Sequence, residues 1–348
     1  MNQGITETHL EKDFVTESGH RFINPPVAYK TWGTLNEERD NVILICHALT
    51  GHAAADEWFP GLVGPNKLYN PKENFIICIN VPGSCYGSVG PLSNNPDTGK
   101  PYLAAFPEIT IRDMVRFQQL FLDQLDIRGI ELVVGGSMGG MQALEFAIMD
   151  ARIRSACLIS MGAAHRPWAI GISEAQRSAI KTDPKWNDGF YDPDDGPVHG
   201  VAAARMMAMI TYRTPDNYDT KFGRGKQGES DLFQVESYLR YQGKKLASRF
   251  DANSYITLSR AMDTHDIARC RPEKGIVLNR IEIPIQVIGV NTDLLYPVSE
   301  QEELAGLLPN CRLHLIQSPY GHDAFLIEFE QLHQIIKPFK DIQSILTT

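Results

Sequence analysis

The stretch Glu131–Ala147, ELVVGGSMGGMQALEFA, places one serine between glycines at the point where an apolar strand gives way to a helix. Glu131–Gly136 contains the β-branched run that predicts a strand, and Met138–Met149 predicts a helix. Ser137 stands between them in the pattern G-x-S-x-G. A turn this tight needs glycine beside the serine, because a Cβ there would collide with the neighbouring strand and helix. The pattern therefore predicts a serine hydroxyl projecting from the carboxyl end of a strand.

The pattern resembles the nucleophile elbow of α/β-hydrolase-fold enzymes, whose turn also aims the first N–H groups of the helix at the group under attack. Alone it is weak, since with glycine and serine each at about 7% it arises by chance in roughly one chain of this length in ten. The alternative is an ordinary glycine-rich turn. The strand before Ser137 and the helix after it favour the elbow.

Short β-rich runs alternate with helical patterns in the first 160 residues and again after Ile281. Such alternation is typical of a parallel sheet covered on both faces by helices. We therefore expect an α/β-hydrolase fold with a mostly parallel sheet. The strands are expected at Val42–Leu49, Phe75–Val81, Leu132–Gly136, Ile153–Met161, Ile283–Val290 and Leu313–Ile316, and further helices at Thr110–Leu125 and Ala324–Ile345.

Between these two regions the strand runs largely vanish and helical patterns take over. The simplest account is one core, residues 1–161 and 278–348, interrupted by a helical lid insertion, residues 162–277. An insertion between core strands is expected to cover the carboxyl edge of the sheet, above the serine. Its predicted helices are Ile172–Ile180, Val198–Thr211, Leu232–Arg249 and Asn253–Met262.

Composition limits the classes of partner. The 348 residues carry a formal net charge of −9, which argues against a nucleic acid or an anionic membrane as the main partner. One basic cluster leaves two interpretations open, a solvated face or a contact with a phosphate-bearing cofactor. It contains Lys221, Arg224, Lys226, Lys244, Lys245 and Arg249.

The sequence also indicates a compartment. No apolar run approaches the roughly 18–20 residues of a membrane span, and the first residues lack the basic and apolar parts of a signal peptide. The six cysteines are scattered, with no CxxC pair. We therefore expect a protein of the reducing cytoplasm, without a membrane segment.

A serine hydroxyl is a poor nucleophile at neutral pH, so Ser137 needs a histidine base. His322 lies in the loop Ser318–Asp323 between the last strand and the last helix, where an imidazole can reach the edge of the sheet. His265 has acidic neighbours but lies inside the insertion, which makes it the weaker candidate. We expect His322 to be the base. Two histidines inside predicted elements are expected to be structural, His314 and His333.

The base needs an acid that fixes its tautomer. Asp293 follows the apolar strand IPIQVIGV and opens the loop Thr292–Pro297. Its alternative role is to cap a turn with its own side chain. The order Ser137, Asp293, His322 is the order in which α/β-hydrolases carry their triad, each residue at the carboxyl end of a strand. We therefore expect Asp293 to be the third member.

An oxyanion hole needs two N–H donors. We expect one from Met138, directly after the nucleophile, and the other from Leu49 in the loop that follows an early strand. His47 and His52 in the same loop could suggest a metal site. No third ligand lies nearby in the sequence, so no metal is expected.

Longer motifs give the chain a specific resemblance. They run from about residue 10 to the C-terminus, and together they resemble the homoserine O-acetyltransferases, an acyltransferase branch of the α/β-hydrolase superfamily. The motifs are Leu44–Gly51 (LICHALTG), Asn80–Pro91 (NVPGSCYGSVGP), Phe106–Met114 (FPEITIRDM), Gly135–Gln142 (GGSMGGMQ), Glu236–Gly243 (ESYLRYQG), Arg249–Tyr255 (RFDANSY) and Gly321–Asp323 (GHD).

The resemblance implies a ping-pong reaction in methionine synthesis, in which Ser137 takes an acetyl group from acetyl-CoA and passes it to the hydroxyl of homoserine. It also implies that Arg205, Tyr212 and Asp323 hold the amino acid. Positions 205 and 212 are seven apart in a predicted helix, so at about 100° per residue they share a face. The alternatives are a surface arginine and an aspartate that caps the last helix.

Acyl choice follows from one position. Relatives that transfer succinyl carry an arginine two residues after the triad aspartate, where this chain has the uncharged Leu295. Acetyl is therefore favoured over succinyl as the transferred group. Relatives specific for serine depart from the loop HALTG, which this chain has at His47–Gly51, so homoserine is favoured over serine as the acceptor. A carboxylesterase or thioesterase would use the same triad with water as the acceptor. The lid pair Arg205 and Tyr212 argues against it, since a hydrolase does not need to bind a zwitterion.

The same resemblance sets the expected partners. They are two small molecules, L-homoserine and acetyl-CoA as co-substrate, with no permanently bound cofactor. The apolar lid helices, and the family's habit of pairing through them, indicate a homodimer.

Overall fold

Eight strands form one central sheet in the computed structural model, which describes residues 4–346 and side chains up to residue 341. The outer limits of the expected core, residues 1 and 348, lie outside the described residues. The strands are β1 (Thr6–His9), β2 (Pro26–Trp32), β3 (Val42–Cys46), β4 (Phe75–Ile79), β5 (Ile130–Gly136), β6 (Ala156–Ile159), β7 (Ile285–Val290) and β8 (Cys311–Ile316).

The strand order is β1-β2-β4-β3-β5-β6-β7-β8. The six strands from β3 to β8 run parallel, whereas β2 pairs antiparallel with both β1 and β4. The predicted α/β fold with a mostly parallel sheet is therefore confirmed. The two strands at the N-terminal end, β1 and β2, were not predicted. The segment TETH of β1 is polar and mostly exposed, so it leaves no apolar run in the sequence.

The parallel strands are buried on both faces, which explains their continuous apolar sequences. Along β3 all five residues are buried, and successive side chains enter different cores. Val42 and Leu44 join the larger core, while Ile43 and Ile45 join the smaller one on the opposite face. Both faces of the sheet are therefore covered.

Nine helices of eight or more residues surround the sheet within residues 4–346. Helices α1, α2 and α8 contribute to the larger core and α9 to the smaller one. The nine are α1 (Ile111–Gln124), α2 (Met138–Met149), α3 (Pro167–Lys181), α4 (Val198–Thr211), α5 (Pro215–Phe222), α6 (Gln234–Ala247), α7 (Ala252–Asp263), α8 (Val298–Leu307) and α9 (Phe329–Leu346).

Shorter elements complete the secondary structure. There are two further helical turns, four 3₁₀ turns and two small two-stranded ladders among the described residues. The helical turns are Ala55–Trp58 and Lys274–Leu278. The 3₁₀ turns are Leu103–Ala105, Asn187–Gly189, Pro193–Asp195 and Gly321–Leu326. The ladders pair Phe14–Val15 with Arg21–Phe22, and Asn94–Asn95 with Lys100–Pro101.

Helices α3 to α7 all lie in the chain between β6 and β7, where the sequence predicts the lid. The division into a core and a lid domain at residues 162 and 277 stays a prediction. The predicted C-terminal helix from Ala324 is wrong at its start, because Gly321–Leu326 forms a 3₁₀ turn and α9 begins only at Phe329. Within residues 4–346 none of the helices combines the length and the apolar character needed to cross a bilayer.

Candidate active site

The turn between β5 and α2 holds Ser137 in a strained conformation. Its φ of 57° and ψ of −125° lie in a region that residues with a side chain rarely adopt. Such a conformation costs on the order of 1–3 kcal/mol and is typical of functional turns. The Ser137 N–H donates to the carbonyl of Ile159 on β6 at 2.9 Å, and the residue is 6% exposed.

Two glycines make this turn possible because backbone segments meet there. A Cβ on Gly135 would lie 2.3 Å from the carbonyl carbon and oxygen of Gly139. A Cβ on Gly139 would lie 2.1 Å from the carbonyl oxygen of Cys46, at the end of β3. No side chain fits at either position. The crowding expected from the sequence is therefore present in the structure.

His322 lies in the 3₁₀ turn after β8, and its Nδ1 is 2.7 Å from Oδ2 of Asp293. Both side chains are buried. The other carboxylate oxygen of Asp293 accepts N–H donors from Leu295 and Tyr296 at 2.8 and 2.9 Å. A carboxylate fixed on three sides holds the imidazole with its proton on Nδ1. Nε2 is then free to accept a proton from a hydroxyl.

The electrostatics favour His322 as a base. Burial lowers its pKa, but attraction to Asp293, their hydrogen bond and the nearby charge of Asp323 raise it, and the net pKa lies above the usual 6.5. A base with such a pKa takes a proton readily during the reaction.

The serine turn and the histidine turn meet through one aromatic ring. A Cβ on Gly136 would lie 2.6 Å from the Phe325 ring, so that ring lies directly against the serine turn. The same ring is 5.5 Å from the imidazole of His322, centroid to centroid. With Asp293 bonded to His322, the structure brings the three predicted triad residues to one edge of the sheet.

Of the other histidine candidates, one contacts the backbone and two lie inside regular elements. His265 is buried, and its Nε2 lies 3.1 Å from the carbonyl oxygen of Gly162. His314 lies within β8 and His333 within α9, as expected. None of these three forms an ion pair with an acidic side chain in the part of the chain that the structure describes.

The loop after β3 is fastened to α2 next to the serine. The carbonyl oxygen of His47 accepts from the Gln142 side chain at 3.1 Å. The His47 ring is also buried, with Nε2 accepting from the Val81 N–H at 3.1 Å and Nδ1 2.9 Å from the oxygen of Ala48. Burial lowers the pKa of His47 to about 4, so the ring is neutral. His47 therefore holds the loop in place.

The two proposed oxyanion donors are free to bind a ligand. Among residues 4–346 the backbone N–H groups of Leu49 and Met138 donate no hydrogen bond, and both residues are buried. Their assignment stays a prediction. Over the same residues there is no group of three His, Cys, Asp or Glu side chains arranged to hold a metal ion.

The lid contributes Tyr212 and Arg205 to the neighbourhood of the base. Tyr212 ends α4, and its ring centroid lies 5.4 Å from that of His322. The Arg205 guanidinium carbon lies 5.7 Å from the Tyr212 ring, so the two residues do share one face of the helix. In the described part of the chain, Arg205 forms no hydrogen bond and no ion pair. Its charge is therefore available to a ligand.

Asp323 has a partner that the sequence did not predict. Its Oδ2 lies 2.9 Å from Nε of Arg213, directly after Tyr212. Asp323 does not cap the last helix, because it lies inside the 3₁₀ turn and α9 starts six residues later. The sequence signal for Arg213 was only its position beside Tyr212.

The end of α4 and the histidine loop are also hydrogen-bonded to each other. The Asp323 N–H donates to the carbonyl of Tyr212 at 3.1 Å. The Thr214 hydroxyl donates to the carbonyl of Pro319 at 2.7 Å. These two bonds fix the lid beside His322.

The loop after Asp293 carries the predicted acyl-specificity residue and one residue that was missed. Leu295 is buried and places no charge beside the triad. Tyr296 is fully buried, with its ring centroid 5.4 Å from that of His322. Its hydroxyl lies 2.9 Å from Nδ1 of His165. No local motif predicts the position of Tyr296, because its contact partner His165 lies 131 positions away in the chain.

Two members of the predicted basic cluster have different surroundings. Arg249 donates to the carbonyl of Thr50 at 3.1 Å and contacts the hydroxyl of Tyr86, beside the loop after β3. Lys221 instead lies over the Tyr238 ring at 4.4 Å. The arginine therefore belongs to the region of the site, whereas the lysine packs between lid helices.

The chain is similar to known proteins over most of its length. A family model described as the alpha/beta hydrolase fold matches residues 41–329. A homoserine O-acetyltransferase of Chlorobium chlorochromatii (strain CaD3) is 53% identical over 332 residues, which cover 94% of this chain and 92% of that protein.

Solved structures show the same similarity. A homoserine O-acetyltransferase from Bacillus anthracis aligns with a TM-score of 0.89 and 26% identity, covering 97% of this chain and 98% of the other. Esterase E22 aligns with a TM-score of 0.88 and 26% identity, covering 97% and 100%. One fold is thus shared by a protein named as an acetyltransferase and a protein named as an esterase.

Proposed function

Because the chain belongs to the homoserine O-acetyltransferases, which are acyltransferases with the α/β-hydrolase fold, we propose that it moves an acetyl group from acetyl-CoA to the side-chain hydroxyl of L-homoserine. The reaction is a ping-pong sequence in which Ser137 carries the acetyl group between two half-reactions. Its product, O-acetyl-L-homoserine, serves methionine biosynthesis.

In the first half-reaction the Ser137 oxygen attacks the thioester carbonyl while Nε2 of His322 takes the hydroxyl proton. The N–H groups of Leu49 and Met138 bind the oxyanion that develops. The carbon–sulfur bond then breaks, and the imidazolium returns its proton to the departing thiolate. Free CoA leaves, and the acetyl group remains as an ester on Ser137.

In the second half-reaction the side-chain hydroxyl of homoserine is the acceptor of the acetyl group. It gives its proton to Nε2 of His322 and attacks the acetyl carbonyl. The bond to the Ser137 oxygen breaks, and the serine recovers its proton from the imidazolium. Asp293 keeps its charge throughout, which stabilises the imidazolium in both steps.

The observation that supports this acceptor is the position of Arg205 and Tyr212 beside the base. Tyr212 packs 5.4 Å from the His322 ring, and Arg205 lies over Tyr212 without an acidic partner among the described residues. A guanidinium without a partner suits the α-carboxylate of an amino acid. Asp323, next to His322 in the chain, suits the α-ammonium.

Acetyl-CoA is proposed as the donor because the residue two positions after Asp293 supplies no cation for a second carboxylate. Leu295 occupies that place, and its side chain is buried and apolar. CoA is a co-substrate here, and no permanently bound cofactor takes part in the proposed reaction.

The test is thiol release from acetyl-CoA by the purified protein, followed with a thiol reagent. We expect rapid release with L-homoserine, little release without an amino acid, and slower release with L-serine. Succinyl-CoA in place of acetyl-CoA should be a poor donor. Equal release with and without homoserine would favour a thioesterase, and faster succinyl transfer would overturn the choice of donor.

A carboxylesterase is the second candidate, supported by the likeness to esterase E22. The same triad would then pass the acetyl group to water. The two candidates separate in the experiment above, since only an acetyltransferase forms O-acetyl-L-homoserine in proportion to the thiol released.

The proposed assembly is a homodimer formed through the lid. Met207 and Ile210 on α4 and Tyr241 on α6 are exposed apolar side chains on two helices that pack together. Light scattering during size-exclusion chromatography should give twice the mass of the chain, and Met207→Glu with Ile210→Glu should give the monomer.

We also propose a cytoplasmic location for the enzyme. All six cysteines are free thiols, and three of them are buried. Proteins that fold in an oxidising compartment more often use such residues as disulfides.

A further inference from the structure

We propose that Arg213 is an acceptor-specificity residue, whose guanidinium is held by Asp323 and binds the α-carboxylate of the amino acid together with Arg205. This inference rests on the proposed function and adds a second cation to its acceptor site. It predicts that Arg213 distinguishes hydroxyl compounds with a carboxylate from those without one.

The first support is that the Arg213 guanidinium is poorly satisfied by the protein. Its Nε lies 2.9 Å from Oδ2 of Asp323, but the N–H is not aligned for a hydrogen bond, and Nε is buried without another acceptor. Across residues 4–346 no hydrogen bond involves its guanidinium. The Arg213 side chain is only 16% exposed, and its five N–H donors have no aligned acceptor. Burying unsatisfied donors costs free energy unless a ligand supplies the acceptors.

The second support is position. Arg213 follows Tyr212, whose ring lies against His322, and its own guanidinium lies over the ring of Tyr320, two residues before the base. The guanidinium is therefore anchored within the loops that carry the base. The carboxylate carbon of homoserine is four bonds from the hydroxyl oxygen, so the carboxylate has to lie in this neighbourhood when the hydroxyl reaches Nε2.

The third support is the shared electrostatic environment of the two arginines. Burial raises the pKa of Tyr238, and this phenol is also affected by Arg213, Asp323 and Arg205. The three charged groups therefore all lie near the Tyr238 phenol. Arg205 and Arg213 supply two positive charges there, and Asp323 supplies one negative charge.

This set of charges matches a zwitterion. Oδ2 of Asp323 faces Arg213, while its Oδ1 accepts no hydrogen bond from any described residue and is open to an ammonium group. A carboxylate placed between two guanidinium groups, with an ammonium beside Asp323, gives an alternation of charges. Planar guanidinium forks bind carboxylates by paired hydrogen bonds, which a lysine cannot reproduce.

The test compares L-homoserine with 3-aminopropan-1-ol, which keeps the amine and the hydroxyl but lacks the carboxylate. Arg213→Gln should lower kcat/KM for L-homoserine by about 10- to 100-fold, mainly through KM, and leave kcat/KM for 3-aminopropan-1-ol within about 2-fold. Arg213→Lys should recover only part of the loss. Arg240→Gln, on an exposed lid arginine paired with Glu236, is the matched control and should change neither.

A burst of nitrophenol from 4-nitrophenyl acetate measures acylation of Ser137 without any amino acid. If Arg213 only clamps the histidine loop, Arg213→Gln and Arg213→Lys will lose this burst to the same extent as homoserine transfer. Such a result overturns the inference, and so does an equal loss with both acceptors. An unchanged burst with a loss specific to L-homoserine supports it. Failure of the wild-type protein to acetylate L-homoserine would instead overturn the proposed function.

Discussion

The hydroxyl of Tyr296 lies 2.9 Å from Nδ1 of His165, and this contact joins the loop of the triad acid to the first residues of the lid. The backbone N–H of the same tyrosine donates to Asp293 at 2.9 Å. A second bond runs in parallel, from the Trp168 indole to the carbonyl of Leu294 at 2.7 Å. The position of Asp293 therefore depends on the lid as well as on the sheet.

Removing only the hydroxyl tests this connection. Tyr296→Phe keeps the ring and the backbone donor, but removes the hydrogen-bond partner of Nδ1 on the buried His165. Burial lowers the pKa of His165 to about 3, so the ring stays neutral and does not gain a charge in the variant. We expect a loss of about 1–3 kcal/mol in the free energy of unfolding, measured with urea, and a fall in kcat below about 10-fold. The control Tyr29→Phe, at a half-buried tyrosine of β2 whose hydroxyl forms no hydrogen bond within residues 4–346, should change neither.

Two substitutions of the nucleophile separate chemistry from strain. Ser137→Ala and Ser137→Gly should both lower kcat by at least about 10³-fold, because each removes the attacking oxygen. Glycine adopts the φ of 57° and ψ of −125° found at Ser137 without steric strain, because it has no Cβ. Ser137→Gly should therefore raise the free energy of unfolding by about 1 kcal/mol, while Ser137→Ala leaves it nearly unchanged. Thermal unfolding of both variants checks the difference, and equal stability would argue against strain at this residue.

The pH dependence follows from His322, which acts as a base only in its neutral form. Its pKa lies above 6.5, so the rate of 4-nitrophenyl acetate hydrolysis should fall as the pH decreases through a midpoint above 6.5. Asp293→Asn removes the largest attraction for the imidazolium and leaves burial, which lowers the pKa. The midpoint should then move to lower pH and the plateau should fall by about 10²- to 10⁴-fold. Asp323→Asn should move the midpoint less, and an unmoved midpoint in Asp293→Asn would contradict the assignment.

The two elbow glycines should tolerate no side chain. Gly135→Ala places a methyl group 2.3 Å from backbone atoms of Gly139 and should cost roughly 3 kcal/mol of stability or more, or prevent folding. Gly171, inside α3, is the matched control, because a Cβ there meets nothing within 4 Å. Gly171→Ala should stabilise the protein by about 0.5–1 kcal/mol, through the higher helix propensity of alanine. Urea unfolding of the two variants gives the comparison.

The donor preference should respond to one side chain. Leu295→Arg places a cation beside the acyl site and should raise the ratio of succinyl-CoA to acetyl-CoA turnover, by about 10-fold or more, with L-homoserine fixed. Leu295→Met, which keeps an apolar side chain of similar volume, should leave the ratio unchanged. A ratio that does not change in Leu295→Arg would show that acyl choice is determined elsewhere.

The parallel strands could be predicted from the sequence because burial on both faces makes them continuously apolar, as in β3. β1 and α8 could not. The first is a polar strand at the edge of the sheet, and the second, VSEQEELAGL, has no clear apolar face. Local sequence predicts an element only where its environment is simple enough to leave a pattern.

The same distinction applies to the site. Ser137 and its glycines form a local motif, because the turn itself demands those residue types. His322 and Asp293 were predictable because chain order and strand ends restrict where they can lie. Arg213 and Tyr296 carry no such signal, since the partner of each lies more than 100 positions away in the chain. Contacts of this kind form only when distant parts of the chain have folded together.

The two hydrogen bonds between the end of α4 and the histidine loop bear on how the acetyl group is protected. Because the bonds from Asp323 to Tyr212 and from Thr214 to Pro319 join the two segments, moving this part of the lid outward would also move the histidine loop as long as they hold. That movement would pull His322 away from Asp293. Entry of bulk solvent by that route and loss of a working base would then occur together. An acetylated serine exposed in this way would meet water at a moment when nothing activates water to attack it.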